Sequence, residues 1–488
     1  MPPDPQWRNY SLIQYNQFIL SLWEPLVECD PVTGQPQPAV AESWQWSPDQ
    51  LSVTVRLRAN ARWSNGDPVT ANDFVRSWLR LLRRDREVAE ILTPLKNARA
   101  FQKGELRPGQ RIGVHAVDDL TLLIELEKPR PTLMMELADA VLSPLHKTSE
   151  EVFAAKSYFE DGSSLITNGP FRMVRANDNG YRLEANAFYW DAAAVKLKGL
   201  QFVRADNSRV GELMFAAGIV DFLAPTPLGK AHEALSKRPF VLESEFEPTV
   251  NSININTARP PLGDVRVRRA LALALNREAS IEAHDPGHMI PAWSWVPEMP
   301  GRPGLTLLSE DSAEARHLLA SAGYPAGRGF PVLRWAIPKQ MRPYRFAHDW
   351  SERWFRELGV RTYITYEGSQ KYKGRMNRGD YDLSYNRVTA TVPDAGDLLG
   401  VFMWPTELTG TNWTDPEVTE WLAKANTTGG EEHLALLEKA ERRVMTELSC
   451  IPVMFERRQT LLAGEVRGWY SDSLSRQNLK RLSLEPDL

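Results

Sequence analysis

Cysteine is nearly absent from this chain: Cys29 and Cys450 are the only two among 488 residues. That excludes a disulfide framework standing in for a hydrophobic core, and sequence leaves open whether the two pair. Long apolar runs are missing too, none approaching the ~18 residues of a membrane span. The first residues have no basic stretch ahead of an apolar one and do not read as a leader. Charge of one sign is also lacking, since 58 basic and 62 acidic residues leave a net −4. With no basic run or RNA-binding aromatic motif, nucleic acid is excluded as the main partner. No Gly-rich phosphate loop and no Gly-x-Ser-x-Gly elbow occurs. The eight histidines are scattered. Only His284 and His288 have the spacing of a zinc pair, and Pro286-Gly287 breaks the helix that would align them. Asp394 and Asp397 form a carboxylate pair of a kind common among 62 acidic residues, read as solvated turn residues. Neither catalytic residues, nor a metal site, nor a cofactor is expected.

What is present is an ordinary globular composition, 42% hydrophobic and 25% charged, in a chain long enough for two or three lobes. Val53, Val55 and Leu57 alternate with polar residues, the period of a strand with one buried face. Asn65-Gly66 supplies a turn, and Thr70 with Asp73 approximates a capping box opening a helix to about Leu82. Phe74, Trp78, Leu81 and Leu82 give that helix a buried stripe. Asn179-Gly180 reads as the turn of a hairpin, and 118–132 as a turn, a strand and a proline stop. Asp264, Asp311 and Asp415 are placed as N-caps of helices, and Gly323 and Gly359 as helix stops. A helix followed by the alternating VRTYITY, and a long helix over 431–448, complete an α/β grammar. Of the 16 tryptophans, Trp44, Trp46, Trp63, Trp78 and Trp190 read as scaffold. Trp293, Trp295, Trp404 and Trp413 lie in Pro/Gly-rich text that periodicity does not explain, and are candidates to line a ligand cleft.

Six blocks, in order, carry a family resemblance. AESW followed by LRANARWSNGDPVTANDF (Leu57 to Phe74) resembles the early signature of the solute-binding proteins that serve ABC-type peptide importers. TNGPFRM with ANAFYWD looks like that family's "GxGPY … RNPxYW" block, and AAGIVDF like its "GExD" segment. PPLGDVRVRRALALALNRE, AEARHLLASAGY and CIPVMFERR match the later blocks, so the resemblance spans nearly the whole chain. The chain is thereby identified as a member of the oligopeptide/dipeptide-binding family (bacterial solute-binding protein family 5, cluster C). The resemblance implies an α/β, periplasmic-binding-protein type II fold of two hinged lobes plus an extra small domain. It implies a discontinuous first-lobe core at 1–36, 148–248 and 458–488, the extra domain at 37–147, and the second lobe at 249–457.

The resemblance also implies a ligand site. Glu24 takes the family's acidic position in SLWEPLV, with Trp23 at the aromatic one and Pro25 replacing a glycine. Asp139 falls where relatives line the pocket, and Asn251 and Asn254 lie on a segment crossing between lobes. The sharpest departure is in YDLSYNRVTATVPDAGDLL. The family's Trp position falls on Val388, and the Asp that holds a peptide amino terminus falls on Thr391. A neutral Thr cannot supply the carboxylate's charge-assisted bond; Asp394 replaces it only if the loop shifts, and Arg387 suits an anionic group better. The expected ligand set is thus Trp23, Glu24, Asp139, Asn251, Asn254, Trp293, Arg387, Thr391, Asp394, Trp404 and Trp413.

The function implied is a monomeric, extracytoplasmic receptor that captures a peptide or related polar solute between its lobes by hinge closure. It would deliver that ligand to the membrane permease of an ABC importer. A periplasmic or extracellular location, with lipid anchoring open, requires that a leader has been removed from this chain. An oligosaccharide, an opine or a metal chelate is the alternative ligand. A secreted carbohydrate-active enzyme using the same Trp and acidic residues is the competitor from another class.

Overall fold

The computed structural model describes residues 12–84, 90–150, 165–177, 179–224, 239–341, 344–404, 410–470, 474, 476 and 478–485. The chain divides into two compact units, one formed by Met1–Glu245 with Gln459–Leu488 and the other by Phe246–Arg458.

The first unit opens with helix α1 (Leu12–Leu22) and a short antiparallel pair, β1 (Val27–Cys29) with β2 (Pro36–Pro38). A four-stranded antiparallel sheet follows in the order β3 (Ala41–Trp46), β4 (Ser52–Leu57), β6 (Thr121–Glu125), β5 (Val114–Asp118). On β4 the residues that alternation assigns to the inside, Val53, Val55 and Leu57, are fully buried, and Thr54 and Arg56 face solvent. Helix α2 (Ala71–Arg84) packs near β5 with Phe74, Trp78, Leu81 and Leu82 buried. Burying side chains of this kind contributes roughly 2–3 kcal/mol each. The start of α2 forms half of a capping box: the Asp73 carboxylate accepts from the Thr70 N–H at 2.9 Å, and the Thr70 hydroxyl donates to that same carboxylate at 3.0 Å.

A three-stranded antiparallel sheet joins β7 (Phe171–Asn177), β8 (Gly180–Ala185) and β9 (Gly199–Val203). Asn177 pairs with Gly180, so Gly180 starts the second strand and the turn is one residue earlier than the Asn179-Gly180 expected. The other turn residue, Asp178, lies outside the described residues. Gly180 has φ +136, and a Cβ there would meet the Phe202 carbonyl oxygen at 1.9 Å. The strand β10 (Phe222–Leu223) pairs with the returning end of β16 (Cys450–Ala463). Cys29 stands on β1 of this unit and Cys450 begins β16 in the other, with no disulfide among the described residues.

The chain enters the second unit along β11 (Phe240–Ile255) and leaves it along β16 (Cys450–Ala463), which are neighbours in one sheet. Within this unit β11 pairs antiparallel with β15 (Leu383–Thr389), β15 and β14 (Thr362–Glu367) each pair parallel with β13 (Leu333–Pro338), and β12 (Met289–Pro291) pairs with β16. The helices are α3 (Val265–Leu273), α4 (Arg277–His284), α5 (Ser312–Ser321), α6 (Tyr344–Leu358), α7 (Ser369–Asn377), α8 (Ala395–Leu399), α9 (Pro416–Ala425) and α10 (Gly430–Glu447). Asp264, Asp311 and Asp415 cap α3, α5 and α9 by accepting backbone N–H bonds. Helix α3 stops at Leu273, two residues short of the Leu275 its apolar stripe suggested, although Val267, Leu271 and Leu275 are all fully buried. The parallel crossover β13–α6–β14 is the helix-and-strand unit read from the sequence. One core joins these elements, with Trp295, Trp335, Trp350 and Trp354 completely buried.

Candidate functional site

On β11 and β15 the residues of one sheet face pair as Thr249 with Thr389, Asn251 with Arg387, Ile253 with Tyr385 and Ile255 with Leu383. Side chains of one face recur every second residue, so this face is polar toward the end where the chain enters the unit and apolar beyond it. The polar end is a connected network. Arg387 donates from Nε at 2.6 Å and from Nη2 at 2.8 Å to the two carboxylate oxygens of Glu456 on β16. Asn251 donates to Glu456 at 2.8 Å and accepts from the Tyr385 hydroxyl at 2.9 Å. Thr249 and Thr389 share a 2.9 Å bond. Glu247 stands at the margin, 3.5 Å from Arg387 and 4.0 Å from Arg458.

The electrostatics follow from these contacts. Burial alone would raise the Glu456 carboxyl, but the bonds from Arg387 and Asn251 outweigh it and hold the group below its ordinary value. Glu247 has only the longer contacts; burial and then the Glu456 charge push it up. His288, on the loop before β12, is raised by its bond to Asp285. His284 ends α4 and packs edge-on against Phe346, so the two histidines have different partners.

The loop beyond β15 is tied down by its own carboxylates. Asp397 accepts from the Thr391 N–H and, at 2.8 Å, from its hydroxyl. Asp394 caps α8 through the Gly396 N–H at 2.8 Å, and its other oxygen meets His433 Nε2 at 2.7 Å. The second ring nitrogen of His433 meets the Ala425 carbonyl oxygen at 2.9 Å. A carbonyl and a carboxylate both accept, so this setting favours the doubly protonated ring of His433. Its bond to Asp394 raises its pKa accordingly.

The other expected residues have different surroundings. Trp23 is 1% exposed, in the core of the first unit. Glu24 is fully buried beside it: its carboxylate accepts from the Tyr189 hydroxyl and, at 2.6 Å, from Trp190 Nε1, with Lys480 at 3.6 Å. Burial, opposed by Lys480, raises its pKa. Asp139 caps the short turn Ala140–Leu142 and pairs with Arg476 at 3.0 Å. Asn254 is buried on the opposite face of β11 from Asn251 and accepts from the Ser252 hydroxyl at 2.7 Å. Trp293 is half-buried under the Arg277 guanidinium, 5.4 Å from its ring centroid, and Trp413 packs edge-on against Phe402. Trp404 is 58% exposed. Trp295 is fully buried and donates to the Leu398 carbonyl at 2.9 Å.

The structure therefore joins Asn251 to Arg387, and Thr391 and Asp394 to the loop beside them, while Glu24 and Asp139 belong to internal clusters of the first unit. Sequence reading missed Glu247, Tyr385 and Glu456. The signal available was a strand carrying charge where a buried strand is apolar, as in the FERR of CIPVMFERR.

Comparison with known proteins supplies the family. The profile of the bacterial extracellular solute-binding proteins, family 5, matches residues 35–407. The oligopeptide-binding protein OppA of Bacillus subtilis is 28% identical over 443 residues, covering 86% of this chain and 80% of that protein. The probable deoxycholate-binding periplasmic protein YgiS of Escherichia coli is 30% identical over 471 residues, covering 93% of this chain and 86% of that one. Among solved structures, the unliganded open form of the periplasmic murein tripeptide binding protein MppA superposes with a TM-score of 0.85 at 25% identity, covering 97% of this chain and 95% of MppA. A mixed α/β architecture shared over that length, together with the profile match, makes this chain a member of the bacterial extracellular solute-binding proteins, family 5.

Proposed function

We propose that the chain is an extracytoplasmic receptor that binds a peptide reversibly and presents it to the permease of an ABC importer. The observation that carries this reading is the family match over residues 35–407, whose relatives include OppA proteins and MppA. A binding role needs shape and fixed polar groups rather than a reacting group. The network of Asn251, Arg387 and Glu456 supports it, because a connected set of hydrogen bonds holds its members in one geometry. The proposed ligand residues are those of this network with Thr391 and Asp394 of the adjoining loop, joined by Trp23, Glu24, Asp139, Asn254, Trp293, Trp404 and Trp413 as the resemblance and the loop text suggest.

The domain proposal is a discontinuous first-lobe core at 1–36, 148–248 and 458–488, an extra domain at 37–147 and a second lobe at 249–457. The division of the chain after Glu245 and after Arg458 supports it, as does the self-contained sheet β3-β4-β6-β5. The receptor works as a monomer outside the cytoplasm, and no bond is made or broken.

The test is calorimetric titration of the purified chain with di- and tripeptides, followed by mass spectrometry of the recovered peptide. Saturable binding with the peptide recovered intact is expected. Cleaved peptide, or heat-silent mixing across a broad peptide panel, would overturn the reading. The 30% identity to a probable deoxycholate-binding protein makes deoxycholate the first non-peptide to include.

A further inference from the structure

The segment 390–397 runs from the end of β15 into α8 and carries Thr391 and Asp394. Its start is tied to β11, where the Ala390 N–H donates to the Pro248 carbonyl at 2.8 Å. Its middle is closed on itself, because Asp397 accepts from Thr391 and, at 3.3 Å, from the Val392 N–H. The Asp394 carboxylate reaches outside the segment. One oxygen caps α8, and the other meets His433 on α10. The second ring nitrogen of that histidine meets the carbonyl of Ala425, the last residue of α9. His433 thus joins the segment to two helices at once. The side chains of His433 and Asp394 are 11% and 13% exposed, so water screens the contact little.

We propose that His433 is a positioning residue for ligand binding: doubly protonated, it ties the segment 390–397 to α9 and α10 and keeps Thr391 in its binding conformation, so that affinity follows the charge of this histidine. The proposal rests on the reading of the chain as a peptide receptor with Thr391 among its ligand residues. A neutral imidazole has one N–H donor. It can serve Asp394 or the Ala425 carbonyl but not both, so loss of the proton opens one end of the bridge. Lys or Arg in this place would stay charged at every ordinary pH, whereas histidine changes charge near neutrality. The bond to Asp394 moves that change above the ordinary 6.5, against the effect of burial. Neighbouring charges have partners of their own. Lys424 of α9 pairs with Glu432 at 2.5 Å, with Glu420 beside it, and Arg443 pairs with Asp415 at 2.8 Å, with Glu417 beside it. Along α10, Glu438 pairs with Arg442, Glu441 with Arg302, and Lys439 lies over the Trp421 ring, while Glu431 is exposed. On α3, which also packs near α10, Arg268 pairs with Glu447. Asp394 is the carboxylate in contact with the His433 ring.

Binding and protonation are linked reciprocally, so a ligand that prefers the imidazolium form raises the midpoint of that histidine. In the full chain, the His433 ring resonance is followed through a pH titration, first free and then saturated with peptide. The peptide is the tightest-binding member of the di- and tripeptide panel, tri-alanine included. A preference of about tenfold, the size expected for one charge-assisted hydrogen bond, moves the midpoint up by about one pH unit. Calorimetric affinity for the same peptide should fall by that factor as pH rises through the midpoint. The terminal amine of the peptide titrates over part of this range, so H433R is the reference: its fixed charge still reaches Asp394, and its affinity should fall less than that of wild type. An unmoved His433 midpoint in a chain that binds the peptide, or equal pH profiles in wild type and H433R, overturns the positioning role and leaves the receptor reading standing. Wild type that binds no member of the panel at any pH overturns both.

Discussion

At the residue scale, the hydrogen-bond inventory decides charge states that a sequence leaves undetermined. His433 is one histidine among eight, and nothing in its neighbours along the chain marks it. Its two acceptor partners, 39 residues earlier and 8 residues earlier in sequence, favour a doubly protonated ring. The folded pKa is raised above the ordinary 6.5, so this contribution is fully present below the unfolded value and is lost as pH rises through the folded one. Nearby, Lys424 and Glu432 neutralise each other at 2.5 Å, and Asp397 is occupied by Thr391. The His433 resonance should therefore titrate above pH 6.5. Wild type should lose stability on passing that midpoint by more than H433Q does, measured by urea denaturation at several pH values. Equal pH dependence in the two proteins would dismiss the imidazolium. Glu24 shows the same limit from the other side. Its acidic position was legible, but Tyr189, Trp190 and Lys480, which saturate it, lie 165, 166 and 456 residues away.

At the scale of single elements, local rules predicted well wherever the deciding interaction is itself local. Asp264, Asp311 and Asp415 cap the helices they were expected to cap, because the donors they satisfy are two or three residues on. Boundaries moved by one or two residues where tertiary packing outweighed propensity, as at the end of α3 and in the β7–β8 turn. Gly323 and Gly359 both follow helices with positive φ, +98 and +72, and in sequence they look alike. Their surroundings differ. A Cβ at Gly323 meets nothing within 4 Å, whereas one at Gly359 would lie 2.3 Å from the Ala326 carbonyl oxygen. Gly323→Ala should cost about 1 kcal/mol, the strain of left-handed backbone alone. Gly359→Ala should cost at least twice that, since α6 and the turn at Ala326 must separate. Thermal denaturation of the two variants checks the order, and equal losses would contradict the contact.

At the scale of the whole molecule, the chain enters the second unit within β11 and returns within β16, so the first unit is built from two stretches far apart in sequence and the second from one. The polar network uses both of those strands together with β15, so its members come from three separate stretches of the second unit. A receptor that binds only in its folded form is stabilised by its ligand through mass action. A peptide held at a hundred times its dissociation constant should raise the unfolding free energy by about 2.7 kcal/mol. A midpoint unmoved by a peptide that calorimetry shows to bind would mean that unfolded chains bind it equally.

Sequence by itself determined the family, the α/β class and the position of most helices and strands, because those depend on periodicity, caps and turns spanning a few residues. Tertiary structure decided which of the candidate residues meet. Asn251, Arg387 and Glu456 become one network only through strand pairing across 136 and 69 positions, while Glu24 is enclosed by its own unit. Burial and partner geometry shift the pKa of each group from the value its residue type sets, and both come from contacts between segments that sequence order keeps apart.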